Sequence, residues 1–135
     1  FSEKMIALAR EKMPNAALIQ ADFSLGLAPE LKQNRYDAII ATYSLHHLPD
    51  AEKARFLQSL LPLLNPGGCI YIGDVAFETR AQLESCRAQA GGEWDDDEIY
   101  FVIDELKRAL PNLQFEPYSH CAGLITIQNA GGERA

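Results

Sequence analysis

The chain has 135 residues, 47% of them hydrophobic and 23% charged, an ordinary globular balance that excludes wholesale disorder. Twelve Lys and Arg against nineteen Asp and Glu leave a net charge of −7, which argues against binding a nucleic-acid backbone, since that rests on clustered cations. No apolar stretch reaches the roughly 18 residues that span a bilayer, no charged and apolar leader opens the chain, and Cys69, Cys86 and Cys121 show no metal-ligand spacing and no even count for a disulfide framework. A cytoplasmic protein with reduced, core-packed cysteines is expected.

The chain opens on Phe1 rather than Met, directly on a helical pattern, as a piece of a longer protein would. Met5, Ile6, Leu8, Ala9 and Met13 recur at helical spacing behind Ser2 as N-cap, and Pro14 with Asn15 closes that helix. Ala17 to Gln20 read as a short buried strand running into Asp22 and Phe23. Tyr36 to Thr42 form the clearest strand, apolar enough to be a central parallel strand covered on both faces. A helix follows from Pro49 and Asp50 to about Leu64, with Pro62 distorting or closing its end.

Asn65-Pro66-Gly67-Gly68 is a strong turn signal, and Cys69 to Val75 a second buried strand. Thr79 to Gln82 fit a capping box at the head of a third helix, broken at Gly91 and Gly92. Ile99, Val102, Ile103, Leu106 and Leu110 predict a further helix behind the acidic run Glu93 to Glu98, which reads as a helix start with a solvated face rather than a cation site. Leu113 to Ser119 and Ala122 to Gln128 are two strands, expected to be antiparallel neighbours. Strands alternating with helices and then a closing pair indicate an open, mostly parallel three-layer α/β sheet with an antiparallel edge. One domain over residues 1–135 is expected.

In such sheets ligands bind beyond the carboxyl ends of the strands, which singles out Asp22 and Phe23, then Ala41 to His47, then Asp74 and Val75. The segments Asp22-Phe23, Tyr36 to Asp50 with its Leu45-His46-His47-Leu48-Pro49-Asp50, and Leu64 to Ile72 with its Asn-Pro-Gly-Gly turn resemble three successive motifs of class I S-adenosylmethionine-dependent methyltransferases acting on small molecules. Trp94 to Leu106 and Ser119 to Gly123 are similar to uncharacterised bacterial members of that group.

The resemblance implies a Rossmann-like methyltransferase sheet and S-adenosylmethionine as cofactor. It places Met5 against adenine, Asp22 on the adenine amino group, Phe23 beside the ring through its backbone amide, and Ala41, Thr42 and Tyr43 at the methionine end. It favours His47 over His46 as the pocket residue that orients the acceptor or takes its proton, and it makes Trp94, Tyr100 and Phe101 candidates for lid or substrate contacts, with core packing the competing account for Phe101. A metal pair at His46 and His47 is a poor reading, since no third ligand is suitably spaced.

The chain departs from the family in two respects: no GxGxG turn occurs, and no ribose-binding acid precedes the first helix. The family's order would put both before Phe1, the glycine turn roughly 20 residues further upstream, so the expected sheet lacks its first two strands. Open sheet edges then favour a homodimer of the truncated form, and weak or absent cofactor binding by this fragment. The alternative reading is a non-catalytic Rossmann-like binding or assembly module, from which an upstream glycine turn would distinguish the enzyme.

Overall fold

The computed structural model describes residues 3–16, 18 and 29–128. The chain divides into two compact units, Phe1–Asn34 and Arg35–Ala135.

In the first unit, helix α1 runs over Glu3–Lys12, with Glu3 in its first turn and Arg10 and Lys12 in its last, where each charge complements the helix dipole. The amide of Met13 still bonds to Ala9 O at 2.8 Å before Pro14 and Asn15 turn the chain. No residue of α1 is buried. A 3-10 turn covers Pro29–Gln33. The strand expected over Ala17 to Gln20, and Asp22 and Phe23, lie outside the described residues, apart from Leu18.

The second unit is built on a sheet. Strand β1 (Tyr36–Thr42) leads into helix α2 (Asp50–Leu60), which tightens to a 3-10 turn over Leu61–Leu63 at Pro62, whose ring cannot continue the helix. Strand β2 (Leu64–Phe77) then runs parallel to β1, so β1-α2-β2 is one crossover unit. The Asn-Pro-Gly-Gly turn sits inside the residues of β2: Tyr36 pairs with Leu64 but Ala38 with Cys69, so two steps along β1 face five along β2. Gly67 makes that excursion possible at φ +79°, a value that side chains with a Cβ resist.

Helix α3 (Arg80–Ala90) begins as the sequence predicts, with Thr79 Oγ1 accepting from Gln82 N at 3.2 Å. The reciprocal bond is displaced by one residue, since Gln82 Oε1 accepts from Glu78 N at 3.0 Å. Gly91 at φ +58° ends α3.

The helix expected through Ile99 to Leu110 is not formed at that length. Phe101–Val102 is instead a two-residue strand, β3, parallel to Ala76 and Phe77 of β2, and only Ile103–Leu106 is helical, as α4. Aromatic and β-branched side chains suit a strand, and here a long-range partner overrides the local period. Phe101 is buried in the core, as the packing account expects.

Strands β4 (Leu113–Pro117) and β5 (Ala122–Gln128) form an antiparallel pair, and β5 lies antiparallel along β2, so the path is β1-β2-β5-β4. Ile70 pairs with Ile127 and Ile72 with Ile125, four side chains almost wholly withdrawn from water. Gly123 permits the close approach of β4, because a Cβ there would lie 2.5 Å from Phe115 Cε1 and 2.6 Å from Glu116 O. Two expectations are corrected. Among the described strands β1 pairs with β2 alone and Ile40 is 72% exposed, so β1 is covered on one face only. Cys69, Cys86 and Cys121 are free but half-buried rather than fully in the core. Among the described residues, no helix is long and apolar enough to cross a membrane.

Candidate functional site

β1 and β2 are parallel, and β4 shares their direction because both β2 and β4 oppose β5. Their carboxyl ends therefore open on one edge, where an α/β sheet offers a crevice. The segments meeting there are the loop 43–49 after β1, the end of β2 from Asp74, the segment 94–100 before β3, and the turn 118–121 between β4 and β5.

The loop after β1 is held at every stage. Tyr43 N donates to Gly73 O at 2.9 Å, prolonging the β1-β2 ladder by one rung. Tyr43 then takes φ +49°, the only positive value at a non-glycine residue described, and leaves its ring 59% exposed. Leu45 and Leu48 are buried and anchor the loop in the core. Lys53 of α2 is almost wholly buried, with Nζ donating to Leu48 O at 2.6 Å, near Asp50 Oδ1 at 3.6 Å and over the Phe101 ring at 5.3 Å. Burial lowers the Lys53 pKa, against the opposing pull of Asp50 and Asp74.

His46 lies at the centre of the loop and is buried. Its Nδ1 is 3.2 Å from Asp74 Oδ1, its Nε2 is 3.2 Å from Glu98 Oε2, and its backbone oxygen accepts from Ile99 N at 2.6 Å. Asp74 Oδ1 also accepts from Val75 N at 2.8 Å, while the buried Oδ2 has no hydrogen-bond partner among the described residues. Glu98 Oε1 accepts from Tyr100 Oη at 2.6 Å. Burial first, then that bond and the nearby Glu98 charge, raise the Tyr100 pKa well above its ordinary 10.0. Trp94 stands edge-on to Tyr100 with centroids 5.2 Å apart, packed against the Phe77, Leu83 and Val102 cluster.

His47 is exposed, its ring centroid 4.3 Å from that of His46. Of the residues singled out from sequence, Ala41, Thr42, Tyr43 and His47 share this edge of the sheet. Met5 belongs to the first unit and is 65% exposed, and Asp22 and Phe23 fall outside the described residues. Sequence reasoning set His46 behind His47, read Glu98 as part of a solvated helix start, and passed over Lys53. Lys53 had a signal, since it stands at helical spacing with Leu57 and Leu60 on the face of α2 that is buried. Glu98 had none, being one acid among five between Glu93 and Glu98. Asp74, singled out from sequence as the acid ending an apolar strand, is brought against His46.

A family model described as a methyltransferase domain matches residues 1–68, half of the chain. The chain belongs to the class I S-adenosylmethionine-dependent methyltransferases. An uncharacterised methyltransferase of Oceanobacillus iheyensis is 30% identical over 121 residues, 84% of this chain and 55% of that protein. Among solved structures, the DhpI complex with SAM and HEP matches with TM-score 0.65 at 20% identity over 91% of this chain and 63% of that one. NodS, an N-methyltransferase of Bradyrhizobium japonicum in complex with S-adenosyl-L-homocysteine, matches with TM-score 0.59 at 15% identity over 96% and 63%. These two likenesses are of fold. The chain spans about half the length of the curated relatives it matches.

Proposed function

We propose that the protein, as its gene encodes it, transfers the methyl group of S-adenosylmethionine to a small-molecule acceptor in the cytoplasm, where its three free cysteines suit a reducing compartment. The observation that carries the reading is the edge itself: in a chain of this family, the loop after β1 is rigidly held beside the end of β2, and Tyr43 is turned outward at its start. The residues present fit the methionine end of the cofactor. Ala41 and Thr42 are small, Gly73 beside Thr42 carries no side chain, and Tyr43 presents an exposed ring at the strand end. Met5, Asp22 and Phe23 are assigned to adenine, a carboxylate suiting an exocyclic amine and a thioether a purine face.

Bound there, S-adenosylmethionine would supply an electrophilic methyl carried on a sulfonium. The protein then mainly orients the acceptor and excludes water. His47, exposed on the same loop, is assigned to orienting the acceptor or accepting its proton. A cavity of about 380 Å³ at the same edge, between Phe77, Cys86, Phe115 and His120, has the size of a small-molecule site and supports that acceptor class.

Calorimetric titration of the gene's full product with S-adenosylhomocysteine tests the proposal. A dissociation constant below about 100 μM is expected; no heat at millimolar ligand would overturn it in favour of a non-catalytic module. We also propose that the 135-residue chain by itself forms a homodimer through β1, which exposes Ile40 and pairs with β2 alone among the described strands. Light scattering showing only monomer would refute that.

A further inference from the structure

We propose that His46 is a positioning residue for the methyl-transfer site: it clamps the loop after β1 to β2 and to the segment 94–100, and thereby presets the wall that Tyr43 and His47 present. This rests on the functional reading above. Both ring nitrogens lie 3.2 Å from a carboxylate oxygen, Asp74 Oδ1 hydrogen-bonded to Nδ1 on one side and Glu98 Oε2 at ion-pair distance from Nε2 on the other, and the backbone oxygen accepts from Ile99 N. With its side chain 11% exposed and a carboxylate beside each nitrogen, the ring has no nitrogen left to offer a substrate. Two adjacent histidines thus divide the work, His47 outward and His46 inward.

The clamp is directional because its two arms differ. Asp74 is wholly buried and, among the described residues, has no side-chain donor other than His46, so losing the imidazole would strand a buried carboxylate with Val75 N as its described donor. Glu98 is 29% exposed and shared with Tyr100, so that arm is the one that can be released without opening the core. Lys53 holds the far end of the same loop through Leu48 O, and its charge also acts on Asp74. A loop fixed at Tyr43, His46 and Leu48 has little conformational freedom left for a ligand to remove, which is how preorganisation raises affinity.

The test uses the gene's full product carrying His46→Ala, His46→Asn, His46→Leu or Glu98→Ala, with S-adenosylhomocysteine affinity by calorimetry and amide exchange at Ile99 as readouts. His46→Ala is expected to weaken binding tenfold or more and Glu98→Ala at least threefold, and both should speed exchange at Ile99. His46→Asn, whose amide still donates toward Asp74, should recover part of the affinity; a packing role alone predicts that His46→Leu performs as well. Should His46→Ala fail to fold, Glu98→Ala decides, because it empties no buried site. Wild-type binding with less than a threefold loss in Glu98→Ala overturns the clamp. Should the wild type not bind at all, the methyltransferase reading falls, and the Ile99 exchange rates still decide whether His46 is a clamp.

Discussion

Replacing Gly68 by Ala probes how the Asn-Pro-Gly-Gly excursion aligns β1 with β2, and so where the loop after β1 emerges. A methyl built on Gly68 would lie 2.9 Å from Asn65 O and 3.1 Å from both Asp37 O and Tyr36 O. All three are backbone carbonyls, two of them in β1, so no side chain can swing aside; either the strands separate by tenths of an ångström or the excursion reshapes. Overpacking of this kind costs about 1–3 kcal/mol. Gly67 offers an internal comparison, since a Cβ there meets nothing within 4 Å and only its φ of +79° is at issue. Left-handed backbone costs an Ala roughly 1–2 kcal/mol, offset by roughly 0.4–1 kcal/mol from a stiffer unfolded chain. At about 3–5 °C per kcal/mol for a chain of this length, Gly68→Ala should lower the melting midpoint by about 3–15 °C and Gly67→Ala by about 0–8 °C, roughly half as much. Scanning calorimetry on both variants measures the order. A Gly68→Ala loss equal to or smaller than that of Gly67→Ala would refute the reasoning.

Gly123→Ala should cost a further ~1–3 kcal/mol in denaturant melts, and trimming Phe115 to Leu beside it should restore only part, because Glu116 O remains 2.6 Å from the new methyl. Burial lowers the Lys53 pKa from 10.5, so above its folded value and up to 10.5 the unfolded chain holds the extra proton and stability rises with pH. Lys53→Met should therefore gain relative stability at pH 7 over pH 10 in urea melts, and a pH-independent difference would contradict the assignment. Tyr100 carries the opposite sign: with its pKa raised, the folded state keeps a proton that the unfolded chain releases above 10.0, so stability falls as pH climbs past 10.0, and Tyr100→Phe should flatten that decline. His47→Ala, at an exposed position, should leave stability within about 0.5 kcal/mol while cutting methyl transfer about a hundredfold or more; unchanged turnover with a suitable acceptor would remove His47 from the site.

Much of this chain is legible locally. β1, the end of α2 at Pro62, the Thr79 cap, the break at Gly91 and the β4-β5 pair all follow from residues acting on their immediate neighbours in sequence, through propensity, capping and turn chemistry. Family membership is equally a property of short motifs. What tertiary structure decided is whatever depends on a partner far along the chain. Phe101 and Val102 belong to a helical period but take a strand because Ala76 and Phe77 offer an edge to pair with. His46 and His47 are chemically alike and adjacent, and the turn after Tyr43 determines which one meets Asp74 and Glu98 and which meets water. Local periodicity carries no information on which of two neighbours a distant carboxylate will reach; only the assembled sheet edge supplies it.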